Sequence, residues 1–222
     1  MILLELQRFS QEYIRFMSMI ENSKSRKVEG QAIFLKDLVS KNRSYRRFYQ
    51  DFVIGMDTLR ELVNIARICG SAANLQPLKY ILSCDDKKNK LIFGNLAWAG
   101  YLKDWDGPIE GERPSAYIVI LGDTSICNSF ENDCGIAAQT ILLSSVEMGL
   151  GGCMIGSINR EQLSRDLNIA SSYKILLVVA LGKPKEIIKL EEIDASGDIK
   201  YWRDKDGIHH VPKRSLGDII ID

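Results

Sequence analysis

The stretch ENDCGIAAQTILLSSVEMGLGGCMIGS, Glu131 to Ser157, decides how this chain folds. Its first part is apolar or small on nearly every side except at its ends, which predicts a helix buried at the centre of the structure or between subunits. The glycines after it read as a helix C-cap running into a tight turn, because glycine tolerates left-handed backbone. A second reading is that, lacking side chains, they let the main chain approach a flat ligand closely. A dinucleotide fingerprint is excluded: GxGxxG starting at Gly149 needs glycine where Met154 stands, and the stretch follows a helix instead of joining a strand to one.

On either side lie AYIVILG (116–122) and YKILLVVALG (173–182), continuous apolar runs that predict strands covered on both faces. Upstream, MDTLRELVNIARICG (56–70) predicts a helix capped by Asp57 or Thr58, apolar along Leu59, Leu62, Val63, Ala66 and Cys69, and ended by Gly70. SAANLQPLK then reads as an exposed loop and YILSC as a strand. A short helix is expected from Asn159 to Leu167. Helices and strands alternate without repeats, so the fold is a mixed sheet covered by helices, α+β or α/β. The irregular segment Asn95 to Pro114 carries Trp98, Tyr101 and Trp105 at the spacing of one helical face, which suits packing or a mobile cover over a pocket.

The chain has 222 residues, 45% of them hydrophobic, enough for one domain with an appendage. Twenty-nine basic residues balance twenty-nine acidic ones, so no nucleic acid partner is expected. Five cysteines without CxxC spacing suggest free buried thiols in a reducing cytoplasm. No apolar run reaches the roughly 18 residues that span a bilayer, so no membrane partner is expected. Residues 1–33 read as an amphipathic helix, apolar at Leu3, Leu6, Phe9, Tyr13, Phe16 and Ile20, followed by a polar linker; Met17 or Met19 is an equally good start.

Against this neutral background, SKNRSYRRFYQD (40–51) crowds Lys41, Arg43, Arg46 and Arg47 into seven residues. Such a cluster either spreads over a solvated face or holds an anion. NLQP (74–77) and PKRS (212–215) are two further polar pieces. Arginine forks and a serine hydroxyl suit phosphate oxygens, while Asn74 and Gln76 carry donors and acceptors suited to a ring edge. His209 and His210 are adjacent, point to opposite faces of a strand and make a poor joint metal site. No GxSxG elbow is present, which argues against hydrolase chemistry.

Taken in order, NRSYRRF, SAANLQP, the central helix with its glycine turn, LGKP and PKRSL resemble the FMN-dependent nitroreductase family from about Phe34 to the C-terminus. The chain departs from the common pattern at Asn42, Leu78 and Gly156. The resemblance implies an α+β fold, a three-layer α/β/α sandwich with a mixed, mostly antiparallel central sheet, in an intertwined homodimer with two FMN sites at its interface. It implies an FMN-binding domain over 34–222 and an N-terminal extension over 1–33. Carried over by position, Arg43, Ser44 and Arg46 serve the phosphate and flavin edge, and Asn74 with Gln76 the polar rim of the ring. Met154, Ile155, Gly156 and Ser157 lie along the isoalloxazine, and Lys213 and Arg214 reach the phosphate. The implied activity passes hydride from NADH or NADPH to flavin N5 and then electrons to a small electron-poor acceptor, in ping-pong order. A flavin-binding sensor without turnover, or a same-fold dehalogenase or flavin-cleaving enzyme, stands beside it.

Overall fold

The computed structural model describes residues 34–194 and 196–221, and Leu35–Asp222 cluster into one compact unit. The helix expected between Leu3 and Ile20 lies outside the described residues. The main sheet contains β1 (Phe48–Tyr49), β2 (Leu78–Ser83), β3 (Ala116–Asp123), β4 (Gly151–Ile155) and β5 (Tyr173–Pro184). β5 pairs with β3 along one edge and with β4 and then β1 along the other, and β2 lies beyond β3. These ladders are antiparallel; the isolated bridge Ser44–Gly152 adds a parallel contact.

β3 is buried at every residue, as its unbroken apolar run predicts. Alternation along it sorts two cores. Ala116, Ile118 and Ile120 face α2 (Met56–Ala66) and α4 (Glu131–Glu147), meeting Leu59, Leu62 and Ile141. Tyr117, Val119 and Leu121 face the opposite side, with Ile92 of α3 (Asp86–Gly94) and Leu163 of α5 (Arg160–Asp166). The result is helix, sheet, helix in three layers. Each fully buried Leu or Ile contributes about 1.5–3 kcal/mol through area removed from water. A bulge opposite Ile120 and Leu121 puts both Leu176 and Leu177 against the first core, so that Ile175 returns to the second.

Three local expectations are corrected. α2 is capped by Gly55 without a side-chain bond, so neither Asp57 nor Thr58 is the cap. Gly149 (φ +72°) ends the central helix in the expected left-handed turn, but Gly151 and Gly152 belong to β4 and not to the turn. A Cβ on Gly152 would stand 2.4 Å from the Ala180 carbonyl oxygen and one on Gly151 would strike the Tyr45 ring. These two glycines are therefore needed for close packing of protein on protein. Trp98, Tyr101 and Trp105 do not form a stripe: Trp98 is buried against Phe93, Tyr101 is half exposed beside Tyr201, and Trp105 packs under Arg203.

The C-terminal segment forms a second sheet of β6 (Ile188–Glu192), β7 (Trp202–Arg203) and β8 (His209–Lys213), with β8 central, parallel to β6 and antiparallel to β7. His209 is fully buried. His210 faces the other way, its Nδ1 2.7 Å from Glu191 and its Nε2 3.0 Å from Asp204, under the stacked ring of Trp202. All five cysteines are free thiols. Among the described residues no helix is long and apolar enough to cross a membrane.

Candidate functional site: a cationic cleft along the arm

Between α1 (Leu35–Lys41) and β1 the basic segment runs extended, because it is pinned to β4 and β5. The Tyr45 amide donates to the Gly152 carbonyl at 3.0 Å. Phe48 is wholly buried over Gly182, where a Cβ would lie 2.6 Å from its ring. Pinned in this way, the four cations separate. Arg47 turns to Glu112 in a two-point contact, Nε to Oε2 at 2.5 Å and a terminal nitrogen to Oε1 at 2.6 Å, and Lys185 adds a third contact at 3.0 Å. These hydrogen bonds hold the Glu112 carboxyl down at about 2, Arg47 first and Lys185 after it, against the upward push of burial.

Arg43 and Arg46 go the other way. With Ser44, Met154 and Lys213 they line a cleft of about 320 Å³. Three positive charges thus meet there, from segments far apart in sequence, and among the described residues no carboxylate lines the cleft. One terminal nitrogen of Arg43 donates to the Val39 carbonyl at 2.6 Å, whereas its Nε is buried with no partner among the described residues. Arg46 donates to the Ser44 carbonyl at 3.1 Å, its guanidinium lies 4.9 Å over the Tyr201 ring, and its backbone amide donates to Glu186. A buried donor left unpaired costs about 1–3 kcal/mol, so the cleft favours a ligand rich in acceptors and negative charge.

Several contributors to this wall carried no signal in the sequence. Tyr201 immediately precedes β7, His209 opens β8, and Gln139 comes from α4. Burial, with the nearby Arg46 and Arg203 charges, pushes His209 down to about 4, so the ring is neutral at pH 7. Neither of its nitrogens has a hydrogen-bond partner among the described residues, and the Glu186 carboxylate oxygen is 3.9 Å from Nδ1. Residues that act through a sheet folded back from the tail have no sequence spacing to betray them.

The remaining expected residues lie elsewhere. Ile155 faces the second core, because neighbours on β4 alternate and Met154 takes the cleft side. Gly156 and Ser157 are exposed beyond the end of β4, and Arg214 is exposed after β8; none lines the cleft. Asn74 and Gln76 sit at the start of α4, by a separate pocket of about 180 Å³ that Gln76 lines with Ser71 and Asp133. Their loop is strained, with φ of 49° at Ala73, 55° at Asn74 and 50° at Gln76. It is held by Asp133, which accepts from the Ser71 hydroxyl and from the Ala72 amide at 3.0 Å, and by Ser71 Oγ, which accepts from the Gln76 amide at 2.9 Å. Within one chain, then, Arg43, Ser44, Arg46, Met154 and Lys213 converge, and Asn74 and Gln76 do not join them.

The model of the nitroreductase family matches residues 122–183. A provisionally named NADH dehydrogenase/NAD(P)H nitroreductase of Archaeoglobus fulgidus is 26% identical over 156 residues, covering 67% of this chain and 84% of that protein. Among solved structures, an FMN-dependent nitroreductase of Clostridium difficile superposes with a TM-score of 0.55 at 22% identity, covering 67% of this chain and 87% of that one. A Desulfovibrio desulfuricans protein, described as a nitroreductase in complex with FMN, gives 0.60 at 17% identity over 86% of this chain and 98% of its own.

Proposed function

We propose that this chain, which has the nitroreductase fold and resembles the nitroreductase family in sequence, is an FMN-dependent oxidoreductase. The observation that carries this reading is the convergence of Arg43, Arg46 and Lys213 on a cleft lined by no carboxylate. A phosphate ester fits these residues: the orphaned Nε of Arg43 and the hydroxyl of Ser44 are donors, and the three cations balance a dianion. When bound, FMN would supply hydride chemistry, drawing on NADH or NADPH and serving an electron-poor acceptor such as a nitroaromatic or a quinone in alternate half-reactions.

The protein's part is to bind, orient and exclude. Glu112 holds Arg47 away from the cleft and so fixes the course of the arm. Tyr201 supports the guanidinium of Arg46 from beneath. Neutral His209 adds no charge to the wall. Free thiols accord with a reducing cytoplasm. Spectral titration of the flavin-free protein with FMN tests the assignment. Arg43→Ala should weaken binding by about 1.5–3 kcal/mol, roughly ten- to a hundredfold. Equal affinity in wild type and variant would refute the phosphate site. Flavin colour that NADH bleaches and air restores supports turnover, and colour that never bleaches supports a sensor.

A second copy of the chain completes the site in this reading. Gly135, Ile136 and Gln139 leave one side of α4 exposed, although its sequence is that of a buried helix. Covering that side with a partner would bring another chain's Asn74 loop within reach of the cleft. Arg43→Ala and Asn74→Ala proteins, each poor in FMN binding, should regain intact sites when their subunits are exchanged. The mixed dimer has one cleft with both residues native. No recovery after exchange would return Asn74 to its own chain or to no role at all.

A further inference from the structure

A second cavity shares no lining residue with the arm cleft. It encloses about 160 Å³, with Phe93 and Tyr117 among its walls and Gln50, Lys90, Arg113 and Ser115 among its polar groups. Its hydrogen bonding is one-sided. Gln50 Oε1 already accepts from the amides of Gly111 at 2.7 Å and Arg113 at 3.1 Å, which leaves its NH₂ end uncommitted. Arg113 Nε and Ser115 Oγ are buried with no partner among the described residues. Tyr117, 1% exposed, carries its hydroxyl in the same cavity wall. The Arg113 guanidinium carbon lies 4.4 Å from the centre of the Phe93 ring. By contrast Asn89, on the same wall, is engaged at both ends of its amide: it donates to the Ser115 carbonyl and accepts from Ser83, each at 2.8 Å.

Arginine, lysine and the amide NH₂ only donate, and both hydroxyls can donate, so the missing occupant must present acceptors. Charge narrows it further. Lys90 and Arg113 are matched in number by the exposed carboxylates of Asp86 and Glu110, which repel a dianion such as phosphate more than a single negative charge held at the guanidinium. A single carboxylate, by contrast, satisfies the guanidinium edge and the Tyr117 hydroxyl, and leaves an apolar end for Phe93.

We infer that this cavity is a binding site for a small organic carboxylate, held by Arg113 and Tyr117 and distinct from the cofactor cleft. A simple carboxylic acid and an amino acid share that chemistry; in the amino acid the ammonium would meet Asp86 and Glu110.

Calorimetric titration of the full chain with propionate and with alanine tests this. Saturable binding of one molecule per chain is expected with at least one of them, and the tighter ligand identifies the source. Arg113→Ala should weaken it at least tenfold, as loss of a charge-assisted bond does. Tyr117→Phe keeps the packed ring and should weaken it about two- to tenfold. Arg43→Ala should leave it unchanged. The inference is overturned if neither ligand saturates, if Tyr117→Phe binds as wild type does, or if binding survives Arg113→Ala and disappears with Arg43→Ala.

Discussion

Replacing Glu112 by glutamine keeps the shape of the side chain and removes the charge that Arg47 and Lys185 share. A carboxyl held at about 2 instead of the ordinary 4.5 contributes at most about 3 kcal/mol to folding at neutral pH, at about 1.36 kcal/mol for each tenfold change in acidity. The carboxylate is itself 10% exposed, but its partners are 30% and 38% exposed, and water screens them. The expected loss is therefore about 2 kcal/mol at pH 7. For a unit of this size that lowers the melting midpoint by about 4–8 °C. The sign with pH follows from the depressed acidity. Glu112 stabilises the fold fully above about 4.5, and the contribution fades as pH falls toward 2. Urea unfolding of both proteins at pH 7 and in steps down to pH 3 should show their difference shrinking with acid. A gap of the same size throughout would refute the electrostatic origin and leave only a packing defect.

Other outcomes follow from contacts already described. His210 is raised above its usual 6.5 by its hydrogen bonds to Asp204 and then Glu191. Its support of the second sheet is therefore complete below about 6.5 and lost as pH climbs through the raised value. Amide exchange in β8, corrected for intrinsic rates, should quicken on the alkaline side, and His210→Gln should abolish that pH dependence. Asp133→Ala leaves the Ser71 hydroxyl and the Ala72 amide without their acceptor and frees the strained loop. A cost of about 1–3 kcal/mol in chemical denaturation is expected, and an unchanged midpoint would mean that the loop holds itself. Gly152→Ala forces a methyl against the Ala180 carbonyl, whereas a methyl at Gly156 meets nothing within 4 Å. The first should cost about 1–3 kcal/mol and the second under about 0.5, by melting temperature. Equal effects would contradict the packing account.

Local patterns carried most of the fold because burial imposes them residue by residue. The unbroken apolar run of β3 and the apolar face of α2 are visible in sequence, since the first is covered by a core on each face and the second faces one of them. The cap of α2 was not, because glycine at position 55 supplies backbone freedom and no side-chain bond. In the candidate site, the union of Arg43, Arg46 and Lys213 was legible as like charges that needed a reason to gather. Arg47 looked equivalent to them and is not, since its partner Glu112 lies 65 residues away and shares no motif with it. Ile155 failed for a simpler reason: next to Met154 on a strand, only one of the pair can face the cleft. Asn74 and Gln76 belong to a loop whose position depends on a bond to Asp133, and nothing in the spacing of 71 to 133 announces that contact.

The parallel pairing of β6 with β8 has a mechanical consequence. Two strands that run the same way need a return path outside their ladder, and here residues 193 to 208 provide it, with β7 on the way. Lys213 is thus tethered sideways, through five paired positions from Ile188–His209 to Glu192–Lys213, as well as along the covalent chain. Peptide hydrolysis near Gly197 would leave two fragments still zipped together, with the ammonium group in place. The same spot is where a graft or a relocated pair of termini would be best tolerated.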